Sequence, residues 1–581
     1  MANPRANSSG LLFNLNTGDP PHFDPETRRQ LRPDRLVLSP AARLGCCRTT
    51  WTREWVSDFP DFIGKERIFA TFLTPSEYGI GDDNKRWDTS RNAALSEILG
   101  FYGLAYWYAE QVTILGWARS GRATTSRPKE RAAGQLEAGG VMAFALSERE
   151  HGADIYNTDL ILTPPAPTTK RVWCSAPRAR STTSATEMWP GWFRCSPAAP
   201  TSTAPTATCG SWPTARTLLP PDRQCRARPD VRQQLPARRL PGARGGHPVH
   251  RSDAFSVALN TVNVGKFNLC TASIGMCEHA FYEAINHANN RILYGNPVTD
   301  FPHVRASFVE AYVRLAAMKL FSDRAIDYFR SASLDDRRYL LFNPVTKSKV
   351  TSEGRRSSSC CGMCWPPRAF ERNTYFAEVA RLIGALPRLE GTVHVNVAQI
   401  LKFMPNHLFS PAEYPRSVPA TMRPTTSSSG RRPGAGSLEG AVRRLDRALR
   451  EVRPHSQRRT LLRAGRALRE LLVTAAPDAE QQKDLDFMLV VGHLFTLVVY
   501  GQLILSRPSY SAWPTTSSTR SSMCRSATSP GTRSPCMASR VRPQRNRNGR
   551  WLRCASRSPT PSASIGWQQV RAFDGAYQMR P

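Results

Sequence analysis

Apolar residues recur at intervals of three and four along several long stretches of this chain, the spacing that gathers them on one face of an α-helix. Residues 89–113, TSRNAALSEILGFYGLAYWYAEQVT, follow it and are largely apolar, which predicts a buried helix. Residues 253–333 hold two longer patterns, TASIGMCEHAFYEAINHANNRIL and VRASFVEAYVRLAAMKLFSDRAIDYFRSA. Residues 438–475 and 479–505 are helical again, while IYNTDLILTP alternates toward a strand. The run Phe487 to Leu505, FMLVVGHLFTLVVYGQLIL, reaches the length that spans a bilayer. Gly492, His493, Thr496 and Gln502 interrupt it, and the flank AEQQKDLD is mixed in charge. A buried bundle helix, with no membrane span, is the expectation.

Between these stretches lies sequence with neither the helical nor the strand period: roughly 32–50, 117–130, 165–251, 355–367, 421–437 and 506–565. Composition sharpens the contrast. The 581-residue chain carries a formal charge of +33, which by itself suggests a nucleic-acid partner. Residues 165–251 hold 14 Lys and Arg against 3 acids, and 506–565 hold 11 Arg and no acid, so each contributes +11. Those two segments therefore account for 22 of the 33 charges. Twelve of the 14 cysteines also fall in such basic, Pro/Ser/Thr-rich text, leaving Cys270 and Cys277 in patterned sequence. The basic run VRPQRNRNGRWLR could attract a polyanion, but it brings no stacking platform, so no nucleic-acid partner is expected. Met1 to Gly10 is polar with no apolar stretch after it, which predicts a cytoplasmic chain with reduced thiols. Cys360, Cys361 and Cys364 are not followed by a second ligand pair, so no metal is expected.

Composition alone reads the aperiodic segments as disordered linkers. An 87-residue structureless insert at 165–251 is improbable inside a compact protein. Translation in the wrong frame of a GC-rich gene explains the bias toward Arg, Pro, Ala, Ser, Cys and Gly. The run 362–367, GMCWPP, moved back one base, can encode Asp-Val-Leu-Ala-Ala. Its upstream extension can encode Glu-Lys-Val-Val-Val-Leu-Leu-Trp, an amphipathic helix. The gene's nucleotide sequence tests this reading, which fails if no alternative frame restores periodicity across 165–251.

Three runs carry candidate chemistry. The first, Phe144 to Asp154 (FALSEREHGAD), is by itself a polar turn containing a glycine. The second, Asn290 to Val298 (NRILYGNPV) followed by DFPHV, is by itself a helix end with Gly295 as its cap. The third, Leu389 to Asn396 (LEGTVHVN), is by itself a turn with Thr392 as the N-cap of the next helix. Together, in this order, they resemble the flavin-dependent acyl-CoA dehydrogenase and oxidase family. The first is similar to the family's L-T-E-P-x-x-G-S-D flavin motif, with Leu146, Ser147, Glu148, Gly152 and Asp154 matching or conservative. Arg149 replaces its Pro, and Ala153 stands where the family's Ser helps hold the CoA ester. The second is similar to R-x-x-F-G-x-P, which makes Arg291, and more distantly His303, candidates for the FAD pyrophosphate across a subunit interface. The third is similar to Y-E-G-T, which makes Glu390 the catalytic base and puts the Gly391–Thr392 backbone against FAD.

The resemblance implies a multidomain, mainly α fold. An N-terminal helical domain would occupy 1–137, a small middle β domain 138–252, a C-terminal four-helix bundle with the base 253–420, and a helical extension 421–581. It implies FAD as cofactor and α,β-dehydrogenation of an acyl-CoA thioester, with a homodimer or homotetramer as the assembly. The electron acceptor would be an electron-transfer flavoprotein, or oxygen in an acyl-CoA oxidase, and the extra helical sequence after the base suits a longer-chain or oxidase-like branch. The rival class is a non-enzymatic basic nucleic-acid-binding protein. Residues 165–251 should hold most of the β domain and a second flavin motif, an aromatic-Ile-Thr/Ser-Asn run, which they lack. The chain is therefore expected to bind FAD poorly and to be inactive or unstable.

Overall fold

Helices form where the apolar period lies close to 3.6. A computed structural model describes residues 11–15, 23–32, 58–79, 81–120 and 126–142, and the strand residues 161–163, 171–175, 182–186, 232–236 and 240–243. It then describes 254–331, 338–364, 368–371, 374–410, 456–506, 567, 570–575 and 577. The first helices are α1 Pro25–Gln30, α2 Asp58–Lys65, α3 Ile68–Leu73, α4 Thr89–Tyr102, α5 Leu104–Ser120 and α6 Ser126–Glu137. After the strands come α7 Ala254–Asn290, α8 Pro302–Ser331, α9 Phe342–Val345, α10 Thr351–Met363, α11 Tyr375–Leu382, α12 Val393–Leu401 and α13 Met404–Phe409. The helices α14 Ser456–Thr474 and α15 Leu485–Ser506 complete this mainly α fold.

The expected single helix over 89–113 is two helices. Asp88 caps α4 by accepting from Ser90 N at 2.8 Å, and the helix ends at Gly103, whose N–H donates to Leu99 O at 2.9 Å. The second helix runs on to Ser120, into text that lacks a period. The two long patterns of 253–333 appear as α7 and α8. The centre of the molecule is α7, which packs along α4 and also against α5, α8 and α10. Glycines permit the closest approach: a Cβ on Gly275 would lie 2.0 Å from Glu97 O, and one on Gly100 would lie 2.6 Å from Ala272 Cα. Two buried ion pairs then tie α4 and its cap to α8, Asp88 with Arg330 at 2.6 Å and Glu97 with Lys319.

Two aperiodic segments depart from the linker reading. Residues 351–363 form α10 despite a serine- and glycine-rich sequence of low helix propensity. Small side chains let it lie close to its neighbours. A Cβ on Gly354 would come 2.3 Å from Ser273 Oγ, and Ser357 Oγ donates to Ala311 O at 3.1 Å. Tertiary contact overrides local preference there. Within 165–251, four of the five strands that follow α6 occur. Strands β1 Ile161–Thr163, β2 Arg171–Ser175 and β5 Leu240–Ala243 pair antiparallel in the order β1-β2-β5, with Leu162 opposite Cys174 and Val172 opposite Gly242. Strands β3 Thr182–Thr186 and β4 Arg232–Pro236 form a separate antiparallel pair.

The apolar run 487–505 lies in α15, which packs on α8, α12 and α14. The span Leu485–Leu505 is long and apolar enough to cross a membrane, yet 72% of its most apolar stretch is buried within the protein. Its polar residues have internal partners: Thr496 Oγ1 donates to Gly492 O at 2.7 Å, and Gln502 Oε1 lies 2.9 Å from His407 Nε2. The five described cysteines, Cys270, Cys277, Cys360, Cys361 and Cys364, are free thiols.

Candidate active site

Thr392 begins α12 as its N-cap, with Oγ1 accepting from Val395 N at 3.3 Å. The chain must reverse sharply just before this cap. It does so through two consecutive left-handed residues, Glu390 at φ 51° and Gly391 at φ 87°. Glycine adopts that region freely, whereas for glutamate it costs about 1–2 kcal/mol. Strain of this kind concentrates where a side chain is being aimed. Here the turn sends the Glu390 carboxylate into the bundle.

The carboxylate reaches α5 and α7. Its Oε1 accepts from Gln111 Nε2, and the same amide donates to Gly265 O at 3.0 Å. As a residue Glu390 is half-buried, whereas its Oε2 is sealed from solvent and meets no hydrogen-bond partner among the described residues. Gly265 makes the approach possible, because a Cβ there would lie 2.6 Å from both Glu390 Oε2 and Gln111 Nε2.

Burial dominates the electrostatics. Removal from water pushes the Glu390 carboxyl up to about 7, while the Gln111 hydrogen bond and the ammonium groups of Lys347 and Lys266 pull it back. Burial lowers each of those lysines to about 8. Lys266 on α7 donates to Gln399 Oε1 at 3.0 Å and to Asn263 Oδ1 at 3.1 Å. Lys347, in a π-helical turn over 346–350, donates to Pro387 O and Gly391 O, both at 3.0 Å. A carboxyl that titrates near 7 and keeps one oxygen free suits a general base working at neutral pH.

The other expected site residues do not gather here. Arg291 ends α7 and opens a hairpin, β6 Ile292–Leu293 with β7 Asn296–Pro297, turned by Tyr294 at φ 52° and Gly295 at φ 77°. Gly295 is thus a hairpin-turn residue and not a helix cap. Arg291 directly follows the last residue of α7, Asn290, whereas Gly265 lies in its first third, so the two are about 38 Å apart at 1.5 Å per residue. His303 is exposed in the first turn of α8, further along the same side of the sequence. Arg291 and Glu390 of one chain therefore cannot meet the same end of one ligand. Leu146, Ser147, Gly152 and Ala153 lie outside the described residues. Gln111, Gly265, Lys266 and Lys347 escaped the motif reading. Their signal was a polar residue or glycine interrupting an otherwise apolar helical pattern. Among the described residues no cluster of His, Cys, Asp or Glu could hold a metal.

The bundle is built on a long central helix, and a left-handed loop sets a buried carboxylate against it. Residues 254–404 match the family model described as acyl-CoA dehydrogenase, C-terminal domain. The fold matches an acyl-CoA dehydrogenase complexed with FAD from Bacillus anthracis at a TM-score of 0.66 and 12% identity, covering 97% of this chain and 98% of that one. Butyryl-CoA dehydrogenase from Megasphaera elsdenii matches at a TM-score of 0.53 and 12% identity, covering 65% of this chain and 97% of that one. Among curated proteins, the Caffeyl-CoA reductase-Etf complex subunit CarC of Acetobacterium woodii is 28% identical over 110 residues. That match spans 19% of this chain and only 26% of the relative's length. The matched residues include the second and third of the three motifs, and the family resemblance drawn from the sequence agrees with the match.

Proposed function

We propose that this chain is built for α,β-dehydrogenation of an acyl-CoA thioester with FAD, Glu390 being the base that removes the α-proton. The observation that carries this is the Glu390 carboxylate, raised to about 7 by burial and with Oε2 sealed and free to accept a proton. An α-proton beside a thioester is weakly acidic, so a desolvated carboxylate near neutral pKa suits its removal. Bound FAD would supply the acceptor for the β-hydride.

The residues on this side fit a flavin. Gly391 and Thr392 are half-buried and the nearby His394 and Val395 are exposed, so the outer side of the loop is reachable from solvent beside a closed base. Gly391 and Thr392 would offer backbone to the ring. Arg291 and His303 would serve the pyrophosphate of a partner subunit's FAD in a homodimer or homotetramer. This division of labour agrees with the long separation of Arg291 from Glu390 along α7. Ser147 and Gly152 would complete the flavin contacts, and Ala153 would face the ester without the hydroxyl found in the family. An electron-transfer flavoprotein is the favoured acceptor: the curated relative is named as a subunit of a reductase-Etf complex, and one similar fold is titled an electron transferring flavoprotein of Acidaminococcus fermentans. Oxygen, as in an acyl-CoA oxidase, is the second reading. The place of action is the cytoplasm.

The same proposal includes impairment. Residues 165–251 lack the second flavin motif, and text read out of frame does not supply the side chains that wall a flavin. Purified chain is expected to carry well below one FAD per polypeptide, with acyl-CoA-dependent bleaching that Glu390→Gln abolishes. A stoichiometric yellow protein with turnover would contradict the impairment. Bleaching retained in the Gln variant would contradict the base assignment.

A further inference from the structure

Glu390 sits on a backbone that glutamate does not adopt by choice, so some contact must hold it there. Two left-handed residues in succession, at φ 51° and 87°, form the end of the loop 387–391. The loop carries few hydrogen bonds of its own kind: Arg388 N and Leu389 N both donate to Ala385 O, at 2.8 and 3.2 Å. Those bonds secure its start and leave the end to other groups. Asn396 Nδ2 donates to Gly391 O at 3.1 Å and to Thr392 O at 2.9 Å, which fixes the side facing α12.

One further group spans the loop. Lys347 is fully buried, and its ammonium donates at 3.0 Å to Pro387 O and at 3.0 Å to Gly391 O. Those carbonyls bracket Arg388, Leu389 and Glu390. Carbonyls left unpaired in the interior would cost about 1–3 kcal/mol each, and a buried ammonium without acceptors would cost more, so the three groups stabilise one another. Lys347 lies in the π-helical turn 346–350, between α9 and α10. Such widened turns are frequent at functional sites, where they redirect a side chain out of helical register.

We propose that Lys347 is the positioning residue for Glu390: its ammonium joins the two ends of the 387–391 loop and holds the left-handed backbone that presents the carboxylate to α5 and α7. The role of Glu390 as a base is taken from the proposed function, but the tie between Lys347 and the loop does not depend on it. The groups that face the carboxylate are Gln111 of α5, Lys266 and Cys270 of α7, and Lys347 itself. Lys347 contributes a positive charge as well as two donors, so its removal weakens the ionised form of Glu390 in addition to loosening the loop.

The test is carboxyl NMR of the full chain labelled at the glutamate side-chain carbon, with the Glu390 resonance assigned by its loss in Glu390→Gln. In wild-type protein that resonance should titrate near 7. In Lys347→Met it should broaden and its midpoint should move upward by about one unit, the usual scale for loss of a nearby opposite charge. Lys347→Arg, which keeps charge and donors, should return it part of the way. A folded Lys347→Met whose Glu390 resonance titrates as in wild type overturns the proposal. If that variant does not fold, Lys347→Gln replaces it: this keeps a donor for one carbonyl and must show the same upward movement, or the proposal fails. Acyl-CoA-dependent bleaching of the FAD that the chain retains is measured in parallel. Bleaching that survives in Glu390→Gln counts against the functional reading alone, because the titration reports on the loop whether or not the chain is an active enzyme.

Discussion

The Glu390 carboxyl illustrates how one side chain can trade stability for reactivity. In an unfolded chain it titrates near 4.5, and burial raises it to about 7. Between those values the folded state binds the extra proton, so stability is greatest below about 4.5 and falls as pH rises through 7. A shift of this size corresponds to a penalty on the order of 3 kcal/mol at alkaline pH. Glu390→Gln removes the ionising group while keeping its shape and the acceptor for Gln111. The variant should melt above wild type near pH 8, and the difference should vanish near pH 4. Equal melting temperatures across that range would show that the carboxyl is not strained by burial. The same titration sets the sign for the proposed chemistry: the rate of α-proton exchange should rise with pH through about 7 as Glu390 loses its proton. Gly265→Ala should depress activity further, since its Cβ would press on both Glu390 Oε2 and Gln111 Nε2 at 2.6 Å. A Gly265→Ala chain with a wild-type rate of α-proton exchange would show that this contact is readily relaxed.

At the level of elements, the contact of α4 with α7 organises the bundle, and glycine makes it possible. Gly275→Ala would set a methyl group 2.0 Å from Glu97 O, forcing the helices apart. Thermal unfolding should report a loss of about 1–3 kcal/mol, the usual cost of overpacking. A neutral substitution would mean that the helices shift without penalty. The long helices were legible in the sequence because their apolar period persists over many turns, as in the 37 residues of α7. Helix α10 was not legible. Its Ser, Gly and Cys side chains carry little hydrophobic contrast, and their value lies in smallness against Ser273 and Ala311, which only the fold brings near. The proposed base was legible through Leu389-Glu390-Gly391-Thr392 read with its two companion motifs. Its supports were not, because Gln111, Gly265 and Lys347 come from three distant stretches with no shared pattern. The break at Gly103 within an apparently continuous helix was likewise invisible to periodicity, since apolar residues continue on both sides.

Across the whole molecule, the proposed function makes assembly part of the chemistry, because Arg291 lies far from Glu390 along α7. The hairpin that follows Arg291 exposes Ile292, Leu293 and Tyr294, the last at 93%. Apolar groups presented together in this way mark a contact surface. Tyr294→Ser should lower the mass measured by light scattering and lower FAD retention together. Loss of neither would separate the hairpin from assembly. On the proposed reading the flavin motif missing from residues 165–251 bears on the flavin wall and not on the base, so the two halves of the proposed reaction should come apart in this chain. The most direct measurement is solvent deuterium exchange at the α-carbon of an acyl-CoA, read by mass spectrometry, which reports proton abstraction without requiring hydride transfer. The wild-type chain should catalyse exchange that rises with pH through about 7 and disappears in Glu390→Gln. Exchange that is absent from folded wild type, or equal in the two proteins, would contradict Glu390 as the base.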